Sequence, residues 1–154
     1  FPTELMNEIG EHLGEKGQEF GTVTKRKRRC GWFDANLVKQ TAEISGIDNI
    51  VLTKLDVLDD LKEIKVCIAY DIDGKRYEHF PFNEKLQLKA KPIYETMPGW
   101  SESTFGITKW DDLPLNAQNY INKLEKIIKR DIAIISTGPE REQTIDKKNL
   151  LSKI

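Results

Sequence analysis

The 154-residue sequence predicts an α/β domain with an antiparallel hairpin and flanking helices, and three observations carry the prediction. Two short β-branched runs, Ile50-Val51-Leu52 and Ile132-Ala133-Ile134-Ile135, have the composition of core strands, and each ends at a polar, turn-forming cluster. A longer alternating run from Ile64 to Tyr70 meets Asp73-Gly74, the chemistry of a tight hairpin turn into Lys75 to Phe80. Between these lie segments whose apolar residues recur at helical spacing.

In chain order, Leu5, Ile9 and Leu13 follow Pro2-Thr3-Glu4, and Gly14 and Gly17 offer a stop, which predicts an amphipathic helix over 3–14. A basic loop follows. Asp34 is the expected N-cap of a second helix through Leu37, Val38, Ala42 and Ile44, with Gly46 as the left-handed residue that ends it. Ile50 to Leu52 is then expected as a buried strand, Ile64 to Tyr70 as a half-buried one, and Pro92 to Met97 as a short extended piece closed by Pro98-Gly99. Pro114 sits where a first helical turn tolerates proline, ahead of an apolar face of Ala117, Tyr120, Ile121, Leu124, Ile127 and Ile128. The strand from Ile132 delivers Ser136 to its end. One domain over 1–154 is expected, loosely held from about 145 to 154.

Composition bounds the function. The 24 basic and 25 acidic side chains nearly cancel to a net charge of −1, so no global field draws the chain to nucleic acid or to a membrane. No apolar stretch reaches the roughly 20 residues that cross a bilayer, no signal peptide begins the chain, and the expected setting is cytoplasmic. Two cysteines, Cys30 and Cys67, and two histidines, His12 and His79, fit neither a disulfide framework nor a zinc pattern, and neither histidine is assigned a catalytic role. The chain begins at Phe1, which is read as the start of a piece of a longer protein.

Three segments could carry chemistry. The run Lys25-Arg26-Lys27-Arg28-Arg29 reads by pattern alone as a solvated loop or a nucleic-acid patch. Its fencing by Gly21 and Gly31, the hydroxyls of Thr22 and Thr24, and its place between two helices open a second reading, a loop folding guanidinium forks over an anion. Thr53-Lys54-Leu55-Asp56 follows a core strand, where open α/β sheets bind ligands. A carboxylate there could accept from both the ring N–H and the amino group of guanine, a donor pair that adenine lacks; the alternative is a turn cap ahead of Asp59-Asp60. Ser136-Thr137-Gly138-Pro139 occupies the equivalent place after the other core strand, where glycine permits close approach of a flat ligand and the alternative is an ordinary turn. Trp100 in the loop Pro98 to Thr104 is expected to pack on the core. No Gly-x-x-x-x-Gly-Lys-Ser/Thr phosphate loop and no Ser/His/Asp or Cys/His constellation occurs.

In order and spacing, Glu19-Phe20-Gly21, Lys25 to Trp32, Leu52 to Leu58, Pro92 to Trp100 and Ile135 to Pro139 closely resemble the C-terminal part of adenylosuccinate synthetases, up to about Thr144. The resemblance implies the C-terminal part of a larger P-loop-type α/β sheet enzyme, a homodimeric ligase of purine synthesis that joins IMP to L-aspartate using GTP and Mg2+. It further implies that Thr22, Val23, Thr24, Lys25, Arg26, Lys27 and Arg28 form the aspartate loop, with Arg26 also meeting IMP. Arg28, Lys54, Leu55, Asp56, Ser136, Thr137 and Gly138 would then meet GTP. The family commonly has Thr-Thr-Gly-Arg where this chain has Val23-Thr24-Lys25-Arg26. Its phosphate loop, catalytic aspartate and histidine, and magnesium site belong to its N-terminal part, so this portion alone is expected to be inactive. The competing expectation is a nucleic-acid-binding module using residues 25–29.

Overall fold

A computed structural model describes residues 1–151. The chain runs α1 (Glu8–Lys16), β1 (Phe33–Asp34), α2 (Ala35–Ser45), β2 (Asn49–Leu52), a 3₁₀ turn (Leu55–Leu58), β3 (Glu63–Ile72), β4 (Lys75–Tyr77), α3 (Glu84–Gln87) and β5 (Lys91–Pro98). A second 3₁₀ turn (Trp110–Asp112), α4 (Leu115–Ile128), β6 (Asp131–Ser136) and β7 (Thr144–Asp146) complete it. The mixed α/β architecture agrees with the fold class expected from the sequence.

One sheet is built around β3. It pairs antiparallel with β5 along nearly its whole length, and its other edge is shared by β1, parallel at Val66 and Cys67, and β4, antiparallel from Tyr70 to Ile72. With neighbours on both edges, β3 buries Ile64, Val66, Cys67, Ala69, Tyr70 and Ile72. The expected half-buried alternation is therefore replaced by near-continuous burial, and a register shift between Cys67 and Ala69 breaks the period. The Asp73-Gly74 hairpin forms as expected, both residues having positive φ.

In the second sheet β6 lies between β2, which runs parallel to it, and antiparallel β7. Val51 is 57% exposed, so the strand expected to be buried is an edge strand among the described residues. The looseness expected from residue 145 is corrected at its start: Ile145 pairs with Ile135 and is only 2% exposed. Its apolar side chain completes the core face of β6. Residues 152–154 of the expected tail lie outside the described residues.

Helix α2 is capped as its sequence requires, Asp34 accepting from the Leu37 amide and Gly46 ending it at φ 63°. Helix α4 begins after Pro114 and turns Ala117, Tyr120, Ile121, Leu124 and Ile128 into the core shared by both sheets. Helix α1 starts five residues later than expected, at Glu8, with the Asn7 side chain accepting from the Gly10 amide. Residues 3–5 are taken up by an extended contact with residues 30–32, where Trp32 N–H donates to Thr3 O and Leu5 N–H to Cys30 O. Tertiary pairing has overridden the helical spacing of Leu5.

Candidate guanine-recognition cleft

Parallel pairing of β2 with β6 aligns Leu52 with Ile135, so Thr53 and Ser136 leave the sheet side by side at the same end. Beyond Leu52 the backbone turns at Lys54, which adopts φ 61°, and enters the 3₁₀ turn that carries Asp56. A left-handed lysine costs roughly 1–2 kcal/mol. Burial of Leu55 beneath it, and bonds from the Lys54 ammonium to Gly17 O at 2.7 Å and to the Glu19 carboxylate, hold the conformation.

A cleft of about 660 Å³ opens at these strand ends, lined by Lys16, Gly17, Thr53, Lys54, Asp56, Val57, Phe105, Ser136, Gly138 and Pro139. Asp56 and the Ser136–Gly138 corner thus share one cavity although 80 residues separate them in sequence. One carboxylate oxygen of Asp56, Oδ1, is buried without a hydrogen-bond partner. Burial pushes this carboxyl above its usual range, helped by the nearby Asp59 charge. A buried acceptor without a donor is costly.

The other expected residues are placed unequally. Leu55 packs into the core and is not among the residues that line the cleft. Thr137 is 0% exposed; its hydroxyl donates to Ile107 O at 2.8 Å and its amide to Gln143 O at 2.9 Å. Its side chain therefore holds the corner from behind. A Cβ at Gly138 would stand 2.2 Å from Gln143 Oε1, the tip of a flexible side chain that would have to shift. Arg28 lines a neighbouring cavity of about 370 Å³ with Glu19, Cys30, Trp32 and Lys54. Glu19 joins the two regions, accepting from Arg28 Nη1 at 3.0 Å and from Lys54, and both cations hold its carboxyl below the usual range.

The basic loop turns back on itself. Phe20 bridges Lys27, Gly21 N–H donates to Arg26 O at 2.8 Å, and Lys25 takes φ 55° at the bend. This is the position at which the resembled family commonly has glycine, the residue that suits such a φ. Residues 22–29 are exposed. Lys27 lies 4.0 Å from Glu15, Arg28 3.0 Å from Glu19, and Arg29 clasps Glu4 with a two-point fork at 2.8 and 2.5 Å. Among the described residues, Lys25 and Arg26 are the cations of the run without an ion pair. Nearby acids thus offset most of the charge on which the nucleic-acid alternative depends.

Two features escaped sequence reasoning. Asp59, read there only as part of a turn, is buried and fully bonded. Phe105, 57% exposed, forms a wall of the cleft. The signal for Asp59 was Trp100, whose buried indole N–H needs an acceptor. Among the described residues no group of three metal-ligating side chains occurs, and no helix is long and apolar enough to cross a membrane.

Residues 1–145 match the family described as adenylosuccinate synthetase. The fold matches that of fully ligated adenylosuccinate synthetase from Plasmodium falciparum with a TM-score of 0.91 and 42% sequence identity, over 96% of this chain and 36% of that one. The chain thus spans about a third of the length of that relative. Sequence match along nearly the whole chain, together with a shared backbone, establishes that the chain belongs to the adenylosuccinate synthetase family.

Proposed function

We propose that this chain is the C-terminal portion of a cytoplasmic, homodimeric ligase that joins IMP to L-aspartate at the expense of GTP, and that it supplies recognition to that reaction. One observation carries the reading: the turn that bears the Asp56 carboxylate and a small-residue corner line one cleft at adjacent parallel strand ends. Ionised Asp56 accepts from the ring N–H and the exocyclic amine of guanine. Ser136 and Gly138 flank the base, and Lys54 lies beside it with Leu55 and Thr137 holding the backbone in place. Arg28, drawn toward Lys54 through their shared partner Glu19, meets the polar part of GTP.

The loop from Thr22 to Arg28 takes the aspartate carboxylates, and Arg26, which has no internal ion pair, also meets IMP. These cations orient anions by fork geometry and charge. In the overall reaction GTP phosphorylates the 6-oxygen of IMP and the aspartate amine displaces the phosphate. Magnesium, when bound, offsets phosphate charge. The described residues include no cluster of three potential ligands and do not fit its site, and on this reading, as the family resemblance implies, magnesium would be held by other parts of the enzyme. Nucleophile activation likewise lies elsewhere, and this portion alone is expected to be inactive.

The test is Asp56→Asn in the complete synthetase. Hydrogen bonds to a charged group contribute roughly 1.5–3 kcal/mol each, so the preference for GTP over ITP should fall by about 10- to 100-fold. An unchanged GTP/ITP ratio of kcat/KM removes Asp56 from the role.

A further inference from the structure

Three buried polar residues lie behind the cleft rather than in it. The Asp59 carboxylate, 4% exposed, accepts from Trp100 Nε1 at 2.7 Å, Thr104 Oγ1 at 2.7 Å, the Thr104 amide at 2.8 Å and Ser103 Oγ at 3.3 Å. Thr104 is itself fully buried. On the far side of Phe105, Gly106 N–H donates to Thr137 O at 3.1 Å, while the Thr137 hydroxyl donates to Ile107 O. The segment 104–107 is therefore pinned at one end to the turn that carries Asp56 and at the other to the corner that carries Gly138. Phe105 is held between the two pins.

The anchoring extends upstream. Asp60 N–H donates to Trp100 O at 3.0 Å, and Gly99 approaches Leu61 so closely that a Cβ would stand 1.7 Å from its carbonyl oxygen. Lys16, which lines the cleft, donates to Asp59 O at 2.8 Å. A single residue thus organises three of the segments around the cavity, through its carboxylate and through its carbonyl.

We propose that Asp59 is a positioning residue for the guanine cleft: its carboxylate, bonded to Trp100 and Thr104, sets the distance between the Asp56 turn and the Phe105 wall. The inference rests on reading the cleft as a guanine site. A buried carboxylate with several donors is a stiff, short link, because each donor fixes a direction as well as a distance. Replacing it by an amide keeps the size but turns one acceptor into a donor that faces the Thr104 amide. The turn and the wall then separate, and a flat base loses its fit while ligands held elsewhere do not.

The experiment uses the complete synthetase with GDP as probe, measured by calorimetry, alongside KM values for IMP and L-aspartate. Asp59→Asn is expected to weaken GDP binding about tenfold and Thr104→Val about threefold, with the IMP and aspartate KM unchanged. Thr104→Ser, which keeps the hydroxyl, should bind like the parent. Thr104→Val leaves the remaining Asp59 bonds in place, so it decides the question if Asp59→Asn does not fold. Parental GDP affinity in folded Asp59→Asn and Thr104→Val overturns the inference while leaving the guanine reading intact. An equal rise in all three substrate constants also overturns it, because it marks general loosening. Failure of the unmodified synthetase to bind GDP overturns the guanine reading itself, and this inference with it.

Discussion

From Gly21 to Lys27 the chain bends back through two backbone hydrogen bonds, with its side chains in solvent and its ion pairs at the periphery. The cleft between Asp56 and Gly138 is held the other way. Its walls hang from residues that are themselves buried, Asp59, Thr104 and Thr137, and its lining side chains need make few bonds of their own. A rigid frame suits discrimination between bases, since a carboxylate that cannot move away from adenine rejects it. An exposed loop suits capture of small anions, where charge and reach count for more than shape. The two regions are joined by Glu19, which accepts from Arg28 at the end of the loop and from Lys54 at the edge of the cleft.

The division can be broken at several points. The largest effect is expected at Arg26: in the complete synthetase Arg26→Ala should lower kcat/KM for aspartate by roughly 10- to 100-fold, the scale of a lost charged hydrogen bond, with thermal stability unchanged. A fall in Tm comparable to that of a core substitution would show that the loop is structural and would erase the contrast. Next is pH. The Asp56 carboxyl sits above its usual range because of burial and the Asp59 charge, and on the proposed guanine reading its ionised form is the one that accepts from both N–H groups of the base. GDP affinity should be level above that raised value and fall by about tenfold per pH unit below it, the dependence of one proton. Asp56→Asn should remove the dependence.

The sign for stability is opposite. Across the window between the ordinary and the raised value the native state binds more protons than the unfolded chain, so this group's contribution to stability improves as the pH falls. Calorimetric titration of GDP between pH 4 and 8 checks the first effect, and unfolding of the ligand-free protein checks the second. Loss of affinity and gain of stability along the same pH axis would sharpen the case that Asp56 is poised for a ligand. The smallest effect is expected at the bend of the loop. Lys25 holds φ 55°, a conformation that costs a side-chain-bearing residue roughly 1–2 kcal/mol. Lys25→Gly should stabilise the protein by about 1 kcal/mol in urea unfolding, and no gain would mean that the bend relaxes to a common backbone region in solution.

The three candidate segments stood out in the sequence because each combines a structural position with a chemistry: a strand end followed by Lys-x-Asp, a strand end followed by Ser-Thr-Gly, and a glycine-fenced cationic run. Helix ends were legible where a cap was local, as with Asp34 and Gly46. Individual side chains within those segments were less so. Leu55 and Thr137 belong to those motifs, yet one is core and the other is turned away from the cleft, because the side-chain direction at a turn depends on what packs beneath it. Lys25 was visible as a departure from the family pattern, but its positive φ was not.

Local chemistry along the chain, then, determined the kinds of element, the family motifs and the donors and acceptors that each could present, because propensity, capping and spacing act over a few residues. The tertiary structure decided which of them meet. Parallel register between β2 and β6 set the Asp56 turn and the Gly138 corner at one cleft, pairing of residues 3–5 with 30–32 delayed α1, and β7 secured the start of a tail expected to be loose. Asp59 became a linchpin only when Trp100 and Thr104 arrived from more than 40 residues away. Contacts of that range depend on the whole arrangement of the sheets, and no short window of sequence contains them.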